Sequence, residues 1–216
     1  MNARENILGN IRAALRRSRP LTDSEAAPVR ATLRENRRGP LPAMTWEPVS
    51  RFRERCLSLS STVDDVGGIE LVPAAVKRYL AGNNLPQGCV CWPQFAGLDW
   101  AGAGLAVQAR PATGEDAVGV TGTFCAIAET GTLVLLSGAG TPLKNSLLPE
   151  THVAVVQASR IVRCIEDGWD LLRREHGTLP RQVAFVSGPS RTADIEMTLV
   201  IGIHGPYRVH VILVGT

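Results

Sequence analysis

The stretch from Ala126 to Gly138, AIAETGTLVLLSG, constrains the fold more than any other part of the chain. Its second half, Thr132 to Ser137, is a short apolar run that includes β-branched residues, which is typical of a strand buried on both faces of a sheet. Ala126-Ile127-Ala128 is also strand-like. Between them lies Glu129-Thr130-Gly131, and a carboxylate in such surroundings is costly to bury unless it is paired or hydrogen-bonded.

Two interpretations of Glu129 follow from this position. In one, it is a structural carboxylate that pairs with Arg191 or Lys144 inside the fold. In the other, it is a catalytic nucleophile or acid/base at the mouth of a site, where Thr130 and Gly131 bind the ligand. Spacing alone favours the structural interpretation, because structural ion pairs also perturb carboxylates.

Composition limits the class of protein. The chain has 216 residues, of which 44% are hydrophobic and 20% charged, as expected for a globular protein with one core. No apolar run approaches the roughly 20 residues that cross a bilayer. The N-terminus has no secretory signal pattern, so we expect a cytoplasmic protein.

The cysteines argue against a metal or cluster site in this chain. They number five and are spread along the sequence, at Cys56, Cys89, Cys91, Cys125 and Cys164. Only Cys89 and Cys91 are close together, and no second pair stands at metal-ligand spacing. We expect reduced, mostly buried thiols and no cofactor bound by a recognisable motif.

The N-terminal region differs in charge and pattern from the rest. Residues 1–55 hold twelve arginines and six acidic residues, and residues 4–17 have the apolar spacing of an amphipathic helix. Prolines interrupt residues 18–48, which predicts a linker. Because nucleic-acid-binding motifs are absent, we expect residues 1–48 to be an arm that docks on protein, such as a twofold mate.

Residues 49–216 are predicted to form a single α/β domain. Short apolar strand candidates alternate with helical patterns, which favours βαβ units and a largely parallel sheet. The predicted helices cover residues 49–63, 73–81 and 161–176. The strand candidates outside the central stretch cover residues 69–72, 89–92, 105–107, 152–156, 182–187 and 207–214.

A second notable stretch is SGPSRTADIE, residues 187–196. Turn amides, the hydroxyls of Ser190 and Thr192, and the Arg191 guanidinium after a strand are suited to bind a small carboxylate or phosphate ligand at the carboxyl ends of the strands. The same residues could instead begin a helix, with Ser190 or Thr192 as its cap and Asp194 and Glu196 in the first turn. The two interpretations are about equally supported.

Two further residues are candidates for ligand binding. Lys144 stands in the polar loop GAGTPLKNS, where a cation can meet an anion. His204 lies in the turn GIHGP, where it contacts ligand, acts as a base, or is simply a hydrogen-bonded turn histidine.

Five motifs stand in the chain in this order: AIAETGTLVL, SLLPETHVAVV, SGPSRTADIE, GIHGP and RVHVILV. Through these motifs the chain resembles the LUD domain family from about Gly119 onward. The resemblance implies a Rossmann-like, mostly parallel open sheet of the NagB/RpiA/CoA transferase-like type, preceded by the N-terminal amphipathic helix. It also implies a cytoplasmic role in oxidising L-lactate to pyruvate beside two iron–sulfur partner proteins, which would hold the clusters. The chain departs from the family pattern at Phe124, often acidic, and at Lys144, often arginine.

The resemblance leaves three functions open. The first is a non-cluster subunit of a lactate-oxidising system, with catalysis by this chain itself undecided. The second is an acyl- or CoA-transferase, because a glutamate in a glycine-flanked turn attacks the thioester in fold relatives and Glu129 has a similar setting. The third is a non-catalytic module that binds an anionic metabolite. None of the three involves nucleic acid or a membrane span.

Overall fold

The computed structural model describes residues 3–16, 19, 21–192 and 200–216. The chain divides into two compact units, residues 1–43 and residues 44–216. Among the described residues, no helix combines the length and the apolar character needed to span a bilayer.

The first unit contains the helices α1 (Ala3–Ala14) and α2 (Asp23–Glu35). Helix α1 corresponds to the predicted amphipathic helix, and none of its residues is buried. The expectation that residues 18–48 lack regular structure is wrong, because α2 forms there. Thr22 and Glu25 build a capping box at its start, and this cap supports a helix that includes Pro28 in its interior.

In the described part of the second unit there are three α-helices and two principal sheets. Its helices are α3 (Pro48–Ser58), α4 (Val72–Gly82) and α5 (Ile165–Glu175). In chain order, the strands that the structure describes are β1 (Thr62–Val66), β2 (Gly88–Cys91), β3 (Ala106–Ala109), β4 (Val118–Thr121), β5 (Cys125–Ile127), β6 (Thr132–Leu136), β7 (Thr151–Gln157), β8 (Ile161–Val162), β9 (Val183–Val186), β10 (Arg191–Thr192), β11 (Val200–Ile201) and β12 (Arg208–Val214).

The larger sheet has six strands in the order β1-β12-β7-β4-β2-β3. Every pairing in it is parallel. Its central strands β7 and β12 are buried almost throughout, which explains their near-continuous apolar sequences. The α/β architecture with a mostly parallel sheet is confirmed.

The smaller sheet, with the order β8-β5-β6-β9, was not predicted. In it β5 and β6 form an antiparallel hairpin, β6 pairs antiparallel with β9, and β5 pairs parallel with β8. The stretch AIAETGTLVLLSG is this hairpin, so its two apolar runs are buried as expected but lie outside the parallel sheet. Helix α5 packs on β5, where Gly168 lies against Ile127.

Three predicted elements have different boundaries in the structure. The helix predicted for residues 49–63 ends at Ser58, because Ser60 adopts a positive φ of 67° and Val63 belongs to β1. Residues 69–72 form a 3₁₀ turn and the first residue of α4 rather than a strand, since Pro73 favours a helix start. Residues 161–162 form β8 before α5 begins.

Candidate functional site

The turn between β5 and β6 carries Glu129, Thr130 and Gly131. The amide of Glu129 donates to the carbonyl of Arg163 at 2.9 Å, which ties the turn to the residue after β8. Gly131 has a φ of +67°, and a Cβ at this position would lie 2.8 Å from the Cβ of Arg55 in α3. Glycine is therefore required both by the backbone conformation and by the close approach of α3.

The side chain of Glu129 is half-buried. Among the described residues it forms no ion pair and accepts no hydrogen bond. Arg191 donates from Nη2 to the carbonyl of Leu59 at 3.0 Å and to Oγ of Ser60 at 2.7 Å. The expected structural pairing of Glu129 with Arg191 or Lys144 is therefore wrong within the part of the chain that the structure describes.

A chain of hydroxyl groups links the hairpin turn to the SGPSRT segment. Thr130 Oγ1 lies 2.7 Å from Thr132 Oγ1, which in turn lies 2.7 Å from Ser187 Oγ. Gly188 follows with a φ of +78°, and a Cβ there would lie 2.7 Å from the carbonyl oxygen of Leu59. The turn and the segment thus meet beside the C-terminal end of α3.

Ser190 and Arg191 are not the start of a helix in the described structure. The backbone of Ser190 donates to Pro206 and accepts from Gly202, both at 2.9 Å. Arg191 and Thr192 form β10, which pairs antiparallel with β11. This pairing contradicts Ser190 as a helix cap, because Arg191 and Thr192 would then be helical, whereas a helix capped by Thr192 would occupy residues 193–199, with Asp194 and Glu196, outside the described residues.

The predicted position of the anion site, at the carboxyl ends of the sheet, also needs correction. Arg191 bonds to Leu59 and Ser60, which lead into the amino end of β1. The reason is that the preceding strand, β9, belongs to the smaller sheet and pairs antiparallel with β6. The Arg191 segment therefore lies at the amino-terminal edge of the parallel sheet.

A cleft of about 260 Å³ lies at this amino-terminal edge. Its lining includes Ser60, Thr62 and Tyr79 on one side and Tyr207 and Arg208 on the other. A second cleft, of about 300 Å³, shares Tyr207 and Arg208 and adds Glu150. We refer to the first of these as the amino-edge cleft.

Arg208 is the residue that the sequence analysis missed. Its guanidinium lies 4.8 Å from the ring of Tyr207, and no acidic side chain among the described residues forms an ion pair with it. Half-buried and without an ion-pair partner in the described ranges, it can bind an anion with its planar fork. The sequence feature that could have indicated Arg208 is its place as the first residue of the mostly apolar strand RVHVILV.

Contacts around the buried imidazole of His210 support the wall of the amino-edge cleft. Thr62 Oγ1 is hydrogen-bonded to Nδ1 of His210 at 2.8 Å, and Tyr79 stacks on the imidazole. Burial lowers the pKa of His210 to about 4, so the ring is neutral near pH 7. Burial also raises the pKa of the Tyr79 phenol, which stays protonated and can donate a hydrogen bond.

The two remaining predicted residues differ in position. His204 is exposed in the turn 202–206, whose Gly202 and Pro206 bond to the backbone of Ser190. Lys144 is exposed in a 3₁₀ turn, where its neighbour Asn145 binds the backbone of Ala112 and Arg110. His204 thus lies near the Arg191 segment, whereas no contact in the described structure joins Lys144 to it.

A larger cavity, of about 380 Å³, lies at the opposite edge of the sheet. It opens where β2 and β4 end, and its wall includes Trp92 and Gln94 after β2 and Thr123 and Phe124 after β4. None of the predicted site residues lines it. We refer to it as the carboxyl-edge cavity.

Comparison with known proteins identifies the family. Residues 96–214, more than half of the chain, match the family described as LUD domain. The chain belongs to the LUD domain family. The matched region of this LUD domain protein includes the hairpin turn, the SGPSRT segment and Arg208.

Named relatives of this LUD domain protein are lactate utilization proteins. It is 41% identical over 101 residues to Lactate utilization protein C of Bacillus subtilis (strain 168), an alignment that covers 45% of this chain and 42% of the relative. It is 44% identical over 100 residues to Lactate utilization protein C of Halalkalibacterium halodurans, covering 45% and 44%. The chain therefore aligns with less than half the length of these relatives.

A solved structure has a similar fold. A DUF162 family protein from Deinococcus radiodurans superposes with a TM-score of 0.58 and is 27% identical in sequence. The superposition covers 81% of this LUD domain protein and 100% of the other chain. This agreement extends the fold assignment beyond the residues that match the family.

The cysteines of the LUD domain protein are all buried and form no disulfide. Burial raises the pKa of the Cys56, Cys89 and Cys125 thiols to about 12 and that of Cys91 to about 11. These side chains are therefore protonated at neutral pH and poorly suited to ligate metal. Within the described ranges, His, Cys, Asp and Glu side chains form no group that could hold a metal ion.

Proposed function

We propose that this LUD domain protein takes part in lactate utilization, as the non-cluster subunit of a cytoplasmic system that oxidises L-lactate to pyruvate. The observation that carries the proposal is the family match over residues 96–214, together with relatives named Lactate utilization protein C. The partners in this proposal are iron–sulfur subunits, which would accept the two electrons released when a 2-hydroxy acid becomes a 2-oxo acid.

The amino-edge cleft is the part of the protein best suited to hold a small carboxylate. Arg208 offers a guanidinium there that forms no ion pair with the residues the structure describes, and Arg191 bonds to Ser60 in the same wall. Hydroxyl groups of Thr62 and Tyr79 supply neutral hydrogen-bond donors beside it. A carboxylate bound by one arginine fork with hydroxyl support needs no metal ion.

Glu129 is the catalytic residue in this proposal. Its half-buried carboxylate has no partner among the described residues and is therefore free to accept a proton from a hydroxy acid. Thr130 and Gly131 lie on the same turn as Glu129. The other ligand-binding residues in this proposal are Ser190, Arg191, Thr192, His204 and Lys144. Since Lys144 contacts none of the others in the described structure, we expect its substitution to have the smallest effect.

Growth on L-lactate as the sole carbon source tests the proposed function. A strain lacking the gene, and any second copy, should fail to grow and should recover with the unaltered gene. Complementation with Arg208→Gln should fail, because the amide cannot form a charged fork, whereas the exposed control Arg181→Gln should restore growth. Unimpaired growth of the deletion strain would refute a role in lactate oxidation.

Ligand binding by the isolated protein tests the amino-edge cleft independently of growth on lactate. L-Lactate or pyruvate should raise the melting temperature of the unaltered protein, and Arg208→Gln and Arg191→Ala should each abolish this rise. Arg191 is exposed and bonds only to a carbonyl and a hydroxyl in the described structure, so its removal should leave the apo protein stable. Stabilisation by lactate that persists in both variants would place the carboxylate elsewhere.

A second candidate function is an acyl- or CoA-transferase, favoured by the carboxylate of Glu129, which lies on a glycine-flanked turn and has no partner in the described part of the chain. Incubation with acyl-CoA followed by hydroxylamine or borohydride should then modify Glu129, and Glu129→Gln should remain unmodified. Absence of an adduct, where a known transferase reacts, would exclude this function. Lactate binding without any dependence of growth on Glu129 would indicate the third function, a non-catalytic binding module.

A further inference from the structure

The carboxyl-edge cavity lies at the point where the connections of the parallel sheet change direction. The chain passes from β2 outward to β3 and then returns across β2 to β4, from which it continues toward β7 and β12. The crevice between the carboxyl ends of β2 and β4 is therefore a topological switch point. Open α/β sheets commonly bind ligands in such a crevice.

The lining of this cavity is mostly apolar. Rings are contributed by Trp92, Phe124 and His176, and aliphatic surface by Leu136, Leu179 and Pro180. Its volume of about 380 Å³ falls within the range of small-molecule sites and exceeds what a three-carbon acid would fill. Among the described residues that line it there is no lysine, arginine, aspartate or glutamate.

Arg160, a cation beside the cavity, is already neutralised by a carboxylate. The guanidinium of Arg160 lies 4.8 Å from the ring of Phe124 and binds both carboxylate oxygens of Glu175, at 2.7 and 2.9 Å. Its Nε donates to the carbonyl of Phe124 at 2.9 Å. An anionic ligand in this cavity would lose hydration with no lysine or arginine in the described lining to bind it, which is unfavourable.

The polar groups of the cavity differ in whether they already have a hydrogen-bond partner. Thr141 Oγ1 donates to the carbonyl of Leu136 at 2.7 Å, Ser137 Oγ accepts from the amide of Gln182 at 2.9 Å, and Thr123 Oγ1 donates to Val155. The carboxamide of Gln94 and the hydroxyl of Thr178 have no hydrogen-bond partner among the described residues. Both are neutral, and both can donate and accept.

We propose that the carboxyl-edge cavity binds an uncharged planar ring compound. The ring packs against Phe124 and the neighbouring aromatic and aliphatic surface, and polar groups on its rim bond to Gln94 and Thr178. This site is separate from the amino-edge cleft, which lies at the other end of the strands and is lined by Arg208. The two sites therefore select ligands of opposite character, a neutral ring compound and a small carboxylate.

Two probes with the same ring system test the charge preference. At pH 7, 2-naphthol is neutral and 2-naphthoate is an anion. Calorimetric titration of the full chain should show that 2-naphthol binds at least about tenfold more tightly than 2-naphthoate. Equal or tighter binding of 2-naphthoate, or no binding of either probe, would overturn the proposal.

A charged side chain introduced at the carboxyl-edge cavity tests whether the probes bind there. Thr178 is exposed at the rim, so Thr178→Lys should fold normally while it weakens 2-naphthol and strengthens 2-naphthoate. Thr216→Lys adds the same charge at an exposed position outside the cavity and should leave both affinities unchanged. Unchanged affinities in Thr178→Lys would overturn the assignment. Because L-lactate is absent from these titrations, their result does not depend on the proposed function.

Discussion

The imidazole of His210 stacks on the phenol ring of Tyr79, with 3.9 Å between the ring centroids and 9° between the planes. Nδ1 of His210 is hydrogen-bonded to Thr62, whereas Nε2 is buried without a partner among the described residues. On the adjacent strand, His152 is fully buried, with Nε2 bonded to Thr121 and Nδ1 unpartnered. Burial lowers the pKa of both histidines to about 4.

We predict that acid destabilises the protein between about pH 6.5 and pH 4. In this interval both histidines take up a proton in the unfolded chain, where their pKa is near the usual 6.5, while in the folded protein they stay neutral. Stability is therefore complete above about pH 6.5 and falls as the pH approaches 4, by up to about 3 kcal/mol for each histidine. Urea denaturation at a series of pH values measures the slope.

Substitutions test whether the buried histidines cause this dependence of stability on pH. His210→Gln and His152→Gln should each flatten it, even where they lower stability at pH 7. His204→Gln alters an exposed histidine and should leave the slope unchanged. If removing both buried histidines leaves the slope as it was, another group is responsible.

Asp116 should contribute stability that is lost only at lower pH. Arg110 donates to both oxygens of its carboxylate at 2.7 Å, and the amide of Thr113 adds a third bond. These bonds hold the pKa of Asp116 well below its usual range. Asp116→Asn should lower the melting temperature at pH 7, and the difference should shrink as the pH falls below about 4, where the unfolded carboxyl becomes protonated. Glu115→Gln is the exposed neighbouring control, and an equal effect from it would contradict the prediction.

Gly131→Ala should destabilise the fold by about 1–3 kcal/mol. The added Cβ meets the backbone and Cβ of Arg55 at 2.8–3.0 Å, in a backbone conformation that L-residues rarely adopt. Gly140→Ala is the matched control, because its Cβ would meet no atom within 4 Å. Denaturation in urea at neutral pH measures both, and similar free energies of unfolding for the two variants would show that the turn tolerates the change.

The apolar stripe of α1 should mediate association. Ile7 and Ile11 of α1, and Leu15 just after it, are 59%, 48% and 61% exposed, and such side chains in one row favour a partner surface. Replacing all three with serine should weaken self-association or binding to a partner subunit in sedimentation experiments. Arg12→Ser is the control. Loss of salt-sensitive nucleic-acid binding, with protein association intact, would show that the N-terminal arm serves another purpose.

Strand and helix periodicity predicted most elements of the parallel sheet because its central strands are continuous apolar runs. The hairpin β5–β6 has the same apolar composition, so composition could not reveal that it belongs to a second sheet. Helix α2 was not predicted because the prolines of residues 18–48 indicated a linker, and the capping box of Thr22 and Glu25 was not recognised. A local pattern therefore predicts what a segment buries more reliably than which sheet it joins.

The candidate site was predicted in part. The sequence placed Thr130, Gly131, Ser190, Arg191 and His204 in turns, and the contacts around the end of α3 link most of these segments in space. Arg208 was not predicted, because an arginine at a strand start gives no sign that it will lack a counter-charge. The carboxyl-edge cavity depends on which strands become neighbours, which periodicity does not encode.

The pairing of β1 with β12 has a consequence for the newly made chain. Thr62 and its partner His210 are separated by 148 positions. At about 5–20 residues per second, synthesis takes roughly 7–30 s to cover that distance. During this interval β1 is without the strand that covers it, so the nascent domain emerges with an open sheet edge, a state that chaperones protect from aggregation.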